Sequence, residues 1–98
     1  MTINIKKILQ LKTQTEYVII LYSQYIKNNH HTDNELIIGK QTLNIFDLTL
    51  SDINSLLLKT IEDTNPNKKT ISETNRKIKV LTVLIKNYEQ NIKTQITM

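Results

Sequence analysis

The sequence predicts an all-α fold: a small helical bundle with two long helices and a shorter capped helix between them. Two observations predict it. Apolar residues recur at helical spacing over two long stretches, and three Thr-x-x-Glu/Asp patterns resemble the capping box that opens helices. A chain of 98 residues is expected to form one domain, 1–98, around a single core.

The first long helix is predicted over about 3–28. Its apolar stripe consists of Ile8, Leu11, Thr15, Val18, Tyr22 and Tyr25. The β-branched run at 17–20 is also compatible with a strand, but the polar residues spaced around it favour a helix.

The segment 28–34 is predicted to be a solvated polar linker. It contains His30 and His31, which have no carboxylate or cysteine partner at metal-ligand spacing, so no metal site is expected.

The segment 35–46 has two interpretations. Thr32 and Glu35 form a capping box that would open a short helix, whereas a turn at Gly39 would give a hairpin. The helix is favoured. A short capped helix is then predicted over about 50–63, with Thr49 as its N-cap and Asp52 at the capping-box position. Pro66 ends it. Its inward residues are predicted to be Ile53, Leu56, Leu57 and Ile61.

The second long helix, about 70–96, has isoleucine at every seventh position, namely Ile71, Ile78, Ile85 and Ile92. A capping box from Thr70 to Glu73 is predicted to open it. Val80, Val83 and Leu84 form a second apolar side, which predicts that protein covers this part of the helix on nearly all sides. At about 40 Å, the helix would exceed the ~34 Å diameter of a compact chain of this size, which predicts a dimer.

Composition narrows the classes of function. There is no cysteine, which excludes disulfides and thiolate chemistry and fits a cytoplasmic protein. No apolar run approaches the ~20 residues that span a bilayer. Heavy use of isoleucine, asparagine, lysine and threonine, with no alanine, is typical of a low-GC bacterium, phage, plasmid or organelle. The net charge of +4 comes from the end of the chain, where residues 67–98 hold seven basic and two acidic side chains.

No catalytic motif or cofactor-binding loop is present, so the protein is predicted not to be an enzyme and to need no cofactor. The leading hypothesis is a small basic protein-interaction module, an adaptor, inhibitor or small regulator. Its partner would be a protein, in one version an acidic one, bound through basic residues of the last helix. The candidate binding residues are Arg76, Lys77, Lys79, Lys86 and Lys93.

The main alternative is a DNA-binding regulator that dimerises through its last helix. Residues 43–57 resemble a helix-turn-helix, and this resemblance implies that Thr49 opens the recognition helix. The same resemblance would place Ser51, Asn54 and Ser55 in the major groove. Acidic residues at both ends of that helix oppose phosphate binding, so nucleic acid ranks second as a partner.

A third interpretation comes from the segment 56–88, a helix, a polar turn and a basic helix opened by Thr70-Ile-Ser-Glu73. This pattern is similar to the C-terminal half of class IIa bacteriocin immunity proteins. The resemblance implies a cytosolic helical bundle that protects its producer by engaging a sugar transporter.

Overall fold

A computed structural model describes residues 2–29 and 31–97, with side chains through residue 96. It consists of three helices: α1 (Ile5–Asn28), α2 (Asp33–Glu62) and α3 (Lys68–Thr97). The described residues contain no strand, so the all-α prediction is confirmed, as is the helical interpretation of 35–46. The two long helices predicted from the sequence correspond to α1 and α3.

Helix α1 buries the face that its apolar stripe predicted. Its buried residues are Ile8, Leu11, Thr15, Val18 and Tyr22. The helix begins after Asn4, whose side chain accepts a hydrogen bond from the backbone N–H of Lys7 at 3.1 Å. Thr15 lies fully buried without loss of a hydrogen bond, because its hydroxyl donates to the carbonyl of Leu11 at 2.7 Å.

Helix α2 is one continuous helix of 30 residues, where the sequence predicted two elements. The prediction of a short capped helix over about 50–63 is therefore wrong. Thr49 does not cap a helix; it is buried in the interior of α2, and its hydroxyl donates to the carbonyl of Ile45 at 2.9 Å. The residues of α2 that are buried, Gly39, Phe46, Thr49, Ile53 and Leu56, follow one helical register across this point. An unbroken helix keeps them all on one seam, and this packing outweighs the local capping pattern.

The start of α2 follows the sequence more closely. Thr32 is the N-cap, and its hydroxyl oxygen accepts from the backbone N–H of Glu35 at 3.2 Å. At the other end, Ile61 was predicted to face inward but is 58% exposed, because α2 has by then passed its contacts with the core.

Gly39 does not form a turn. It is buried in the first half of α2, facing α1, and a Cβ atom at this position would lie 2.8 Å from Cδ1 of Ile26. The absence of a side chain therefore lets the two helices approach closely at this level.

Helix α3 begins at Lys68, two residues earlier than predicted. The side-chain oxygen of Asn67 accepts from the backbone N–H of Thr70 at 2.8 Å, so the first turn is capped by Asn67 and the predicted Thr70 cap is wrong. The predicted isoleucine repeat is correct in its main part, since Ile78, Ile85 and Ile92 are buried.

Helix α1 is the shared packing partner of the other two helices. The backbones of α2 and α3 both pack closely along it, whereas they lie farther from one another and meet mainly through side chains, such as those of Phe46 and Tyr88. With two short connections, the chain runs up, down and up, so α1 and α3 are parallel. The buried residues form two clusters. One is Ile8, Leu11, Ile53, Leu56, Ile78 and Ile85; the other is Val18, Tyr22, Phe46 and Ile92.

The bundle measures 51 × 20 × 17 Å. A helix of 30 residues is about 45 Å long, and it therefore fits within the long axis. The expectation that the last helix overhangs a compact molecule is wrong, because the bundle is elongated along the helix axes and is as long as its helices. Helix length therefore gives no support for a dimer.

His31 lies at the connection between α1 and α2 and is not solvated as predicted, because only 9% of its side chain is exposed. Its ring packs edge-on against Tyr25, with 5.4 Å between the ring centroids. Its Nδ1 lies 3.2 Å from Oε2 of Glu35. This hydrogen bond, followed by those from Thr32, lowers the pKa of Glu35 from its ordinary value. His30 lies outside the described residues.

Candidate protein-binding groove

An open groove of about 560 Å³ runs between α2 and α3. It exists because the backbones of these two helices lie farther from one another than from α1, and none of its lining residues belongs to α1. Helix α2 contributes Asp52, Ser55, Leu56 and Lys59, and α3 contributes Arg76, Lys77, Val80 and Leu81. We call this the α2–α3 groove.

The floor of the groove is apolar and its rims are charged. Leu56, only 8% exposed, belongs to the core, and Leu81 packs against the same cluster. Val80 is 61% exposed and stands at the side of the groove. Lys59 on one rim and Arg76 with Lys77 on the other supply three positive charges, and Asp52 supplies one negative charge. The groove therefore combines an apolar base with a net positive border.

An apolar surface continues the groove toward the middle of the bundle. On α2, Leu48 is 66% exposed and Ile45 is 51% exposed. Three- and four-residue spacing places both on the same face of the helix as the rim residues of α2. The hydroxyls of Thr49 and Tyr88 lie 3.3 Å apart, which fixes the register of α2 against α3. Leu48 is therefore level with the turn of α3 just before Tyr88, which contains the part-buried Leu84.

The five basic residues predicted to bind a partner fall on two different sides of α3. Arg76 and Lys77 line the α2–α3 groove. A spacing of seven places Lys79, Lys86 and Lys93 along one other side of α3, where Lys79 lies beside Val83. Lys93 forms an ion pair with Glu89 at 3.0 Å, which raises the pKa of Lys93. The lysine row and the groove are thus separate surfaces.

The residues predicted to read DNA do not form a reading surface. Residues 43–57 contain no turn, so the helix-turn-helix geometry is wrong. Thr49 is buried at the contact with Tyr88 and cannot reach a nucleic acid. Ser51 and Asn54 are exposed outside the groove lining, whereas Ser55 lines the groove.

The groove was not predicted from the sequence, although the exposed apolar side of α3 indicates it. Val80, Val83 and Leu84 were predicted to be covered by protein on nearly all sides. In the chain alone this is wrong, because Val80 and Val83 are each 61% exposed. The apolar side of α3 is real, but α2 does not extend over it. The other missed residues, Asp52 and Lys59, have no local pattern that separates them from ordinary surface charges.

Comparison with known proteins gave no family model, no curated protein and no solved structure that matches the chain. Among the described residues, no helix is both long and apolar enough to cross a membrane. The same residues contain no group of three or more metal-ligating side chains of the His, Cys, Asp and Glu types.

Proposed function

We propose that this protein is a non-catalytic interaction module, an adaptor, inhibitor or small regulator, that binds a partner protein in the α2–α3 groove. The observation that carries the proposal is the exposed apolar surface formed by Ile45, Leu48 and Val80. Each of these side chains is more than half exposed. They flank a groove whose floor is continuous with the core. A contiguous apolar surface rimmed by polar groups is typical of interaction sites.

The charged residues of the groove suit this role. Arginine is enriched among the residues that contribute most to protein–protein binding, and Arg76 lies on the rim beside the apolar floor, where a bound partner would exclude water from it. A cytoplasmic location, consistent with the absence of cysteine, is part of the proposal.

DNA binding is the second candidate, and it is favoured by the lysine row at 79, 86 and 93. Without a turn in α2 to present a recognition helix, such binding would use phosphate contacts and would not select a sequence. An immunity-like role is a third candidate. The helical hairpin over 56–88 supports it, but the Thr70 cap that contributed to the resemblance is replaced by Asn67.

Self-association is a separate proposal. The outer face of α3 at Val83 offers an apolar contact for a second copy. Sedimentation equilibrium at micromolar concentrations would then give twice the chain mass of 11.5 kDa. A monomer would remove the dimer and leave the groove proposal untouched.

The proposed function is tested by affinity purification from the native host with three forms of the protein. In the groove variant, Arg76 and Lys77 are replaced by Gln. In the control, Lys68 and Lys86 are replaced by Gln, which gives the same change in charge on the opposite side of α3. We expect one stoichiometric protein to be retained by the wild type and the control and lost by the groove variant.

Retention of nucleic acid in place of a protein would refute the proposal. The DNA alternative also predicts a duplex affinity that falls steeply with salt. Replacing Lys79, Lys86 and Lys93 by Gln would then reduce the slope of the log–log plot by about 0.9 for each lost phosphate contact. We expect weak duplex binding, in the region of 10⁻⁴ M or worse at physiological salt, for every sequence tested.

A further inference from the structure

The three helices have the arrangement of a four-helix bundle that lacks one member. In such a bundle each helix packs against two neighbours, and the two helices on a diagonal do not pack together. Here α1 packs closely against both α2 and α3, whereas the backbones of α2 and α3 lie farther apart, as in diagonal helices, and meet through side chains such as Thr49 and Tyr88. The vacant position lies diagonally opposite α1, along the α2–α3 groove.

We propose that an acidic amphipathic helix of a partner protein occupies this vacant position. This inference rests on the proposed function and specifies the partner of the same groove. From Ile45 to Lys59 the groove face of α2 extends for about 20 Å, which corresponds to a helix of about 14 residues. Such a helix would pack simultaneously on α2 and α3.

The chemistry of the groove changes along its length and defines the occupant. Near the middle of the bundle it is apolar, with Leu48 on α2 exposed and Leu84 on α3 part-buried. Toward the connection between α2 and α3 the rims are basic, with Lys59 opposite Arg76 and Lys77. The occupant therefore carries apolar residues at helical spacing on its inner face and carboxylates beside that face at one end.

Charge complementarity selects this occupant over a second copy of the chain. The lining contains three basic side chains and one acidic side chain, a net charge of +2. Two copies meeting through this groove would bring two positive borders together at the margin of an apolar contact, where repulsion is less screened than in water. An acidic helix places opposite charges at the same positions.

The test uses two synthetic helical peptides of about 16 residues, each fluorescently labelled. They share the same leucine positions, spaced for one helical face, and differ only at the flanking positions, which are Glu in one peptide and Lys in the other. Fluorescence anisotropy measures the affinity of both for the wild-type protein. Amide chemical shifts in isotopically labelled protein locate the binding site.

Two protein variants provide the comparison. The groove variant is Arg76→Glu with Lys77→Glu, and the control is Lys68→Glu with Lys86→Glu, which has the same net charge on the opposite flank of α3. All four positions are exposed, so both variants should fold, and circular dichroism checks this. We expect the acidic peptide to bind the wild type at least about tenfold more tightly than the basic peptide. The groove variant should lose about tenfold in affinity for the acidic peptide, and the control less than about threefold.

Three results would overturn the inference. Equal affinity for the two peptides would show that the groove does not select acidic helices. An equal loss of affinity in both variants would show that only the overall charge matters. Chemical-shift changes outside the groove would place the peptide elsewhere. The proposed function is tested separately by the affinity purification described above. A host protein that binds the wild type and the Gln control but not the Gln groove variant would still support that function. If no such protein is found, the proposed function is refuted as well.

Discussion

The contact between Gly39 and Ile26 makes a quantitative prediction about how α1 and α2 pack. Alanine in place of glycine inside a helix stabilises it by about 1 kcal/mol. At this position the added Cβ would lie 2.8 Å from Cδ1 of Ile26, well inside the contact distance of about 3.5–4.0 Å. Ile26 must therefore turn its terminal methyl away, at a cost of about 0.5–1.5 kcal/mol. We expect Gly39→Ala alone to change the free energy of unfolding very little.

Ile26→Val removes the methyl group that causes the conflict. In the wild-type background this truncation should destabilise the protein by about 0.5–1.5 kcal/mol, toward the lower limit because Ile26 is only partly buried. In the Gly39→Ala background the new Cβ fills part of the vacated space, so the two substitutions should couple favourably by about 0.5–1.5 kcal/mol.

Urea denaturation of the four proteins, followed by circular dichroism, measures this coupling. Full stabilisation by Gly39→Ala alone, with a coupling below about 0.3 kcal/mol, the usual error of additivity, would contradict a steric conflict between residues 39 and 26.

The structure makes three further predictions about stability. Ile85→Ala should destabilise the chain by about 2–5 kcal/mol, because Ile85 is 1% exposed within the core. Truncating the exposed Val83 should change stability by less than about 0.5 kcal/mol. A similar loss from both substitutions would place the core on a different face of α3. Asn67→Ala should destabilise α3 by about 1 kcal/mol, and Thr70→Ala should destabilise it by clearly less. Thermal melting measures both effects, and a larger loss from Thr70→Ala would contradict Asn67 as the cap. The pKa of Glu35 is lowered in the folded chain by the hydrogen bonds from His31 and then Thr32, so the stability it contributes is present above its unfolded pKa and is lost as the pH falls through its folded pKa. Urea midpoints should therefore decline between about pH 5 and pH 3, and less so in Glu35→Gln; an identical decline in both proteins would rule out this carboxylate.

The sequence predicts those parts of the fold that depend on a long, regular repeat. Ile78, Ile85 and Ile92 recur at one spacing over the whole of α3, and the stripe of α1 is equally regular, so their buried faces follow from periodicity alone. The start of α2 is also predictable, because Thr32 and Glu35 satisfy one another locally.

Local patterns failed where tertiary packing competes with them. Thr49 and Asp52 match the sequence pattern of a capping box. Thr49 nevertheless lies on the buried face of α2, between Phe46 and Ile53, and these two residues are both buried only if the helix continues through Thr49. The side chain of Asn67 competes with that of Thr70 for the first turn of α3, and the sequence alone does not show which of the two closes it.

The candidate site could be predicted only in part. The basic character of α3 is visible in the sequence, and Arg76 and Lys77 were identified from it. Their separation from the lysine row depends on which side of α3 faces α2, and this is decided by the packing of both helices on α1. Lys59 belongs to the site solely because that packing brings α2 beside α3.

The position of α1 between the other helices also determines the order in which the bundle assembles and opens. Helix α2 reaches α1 through a short connection, whereas α3 must bring residues such as Asn75 back to Thr2, 73 positions away in the chain. Closing the larger loop costs more chain entropy, and the backbone of α3 packs less closely on α2 than on α1. We expect α3 to dock last and to detach first, with faster amide hydrogen exchange than α1. A partner bound between α2 and α3 would add contacts to the two helices whose backbones pack least closely, and would thereby slow the detachment of α3 and protect the chain from proteolysis.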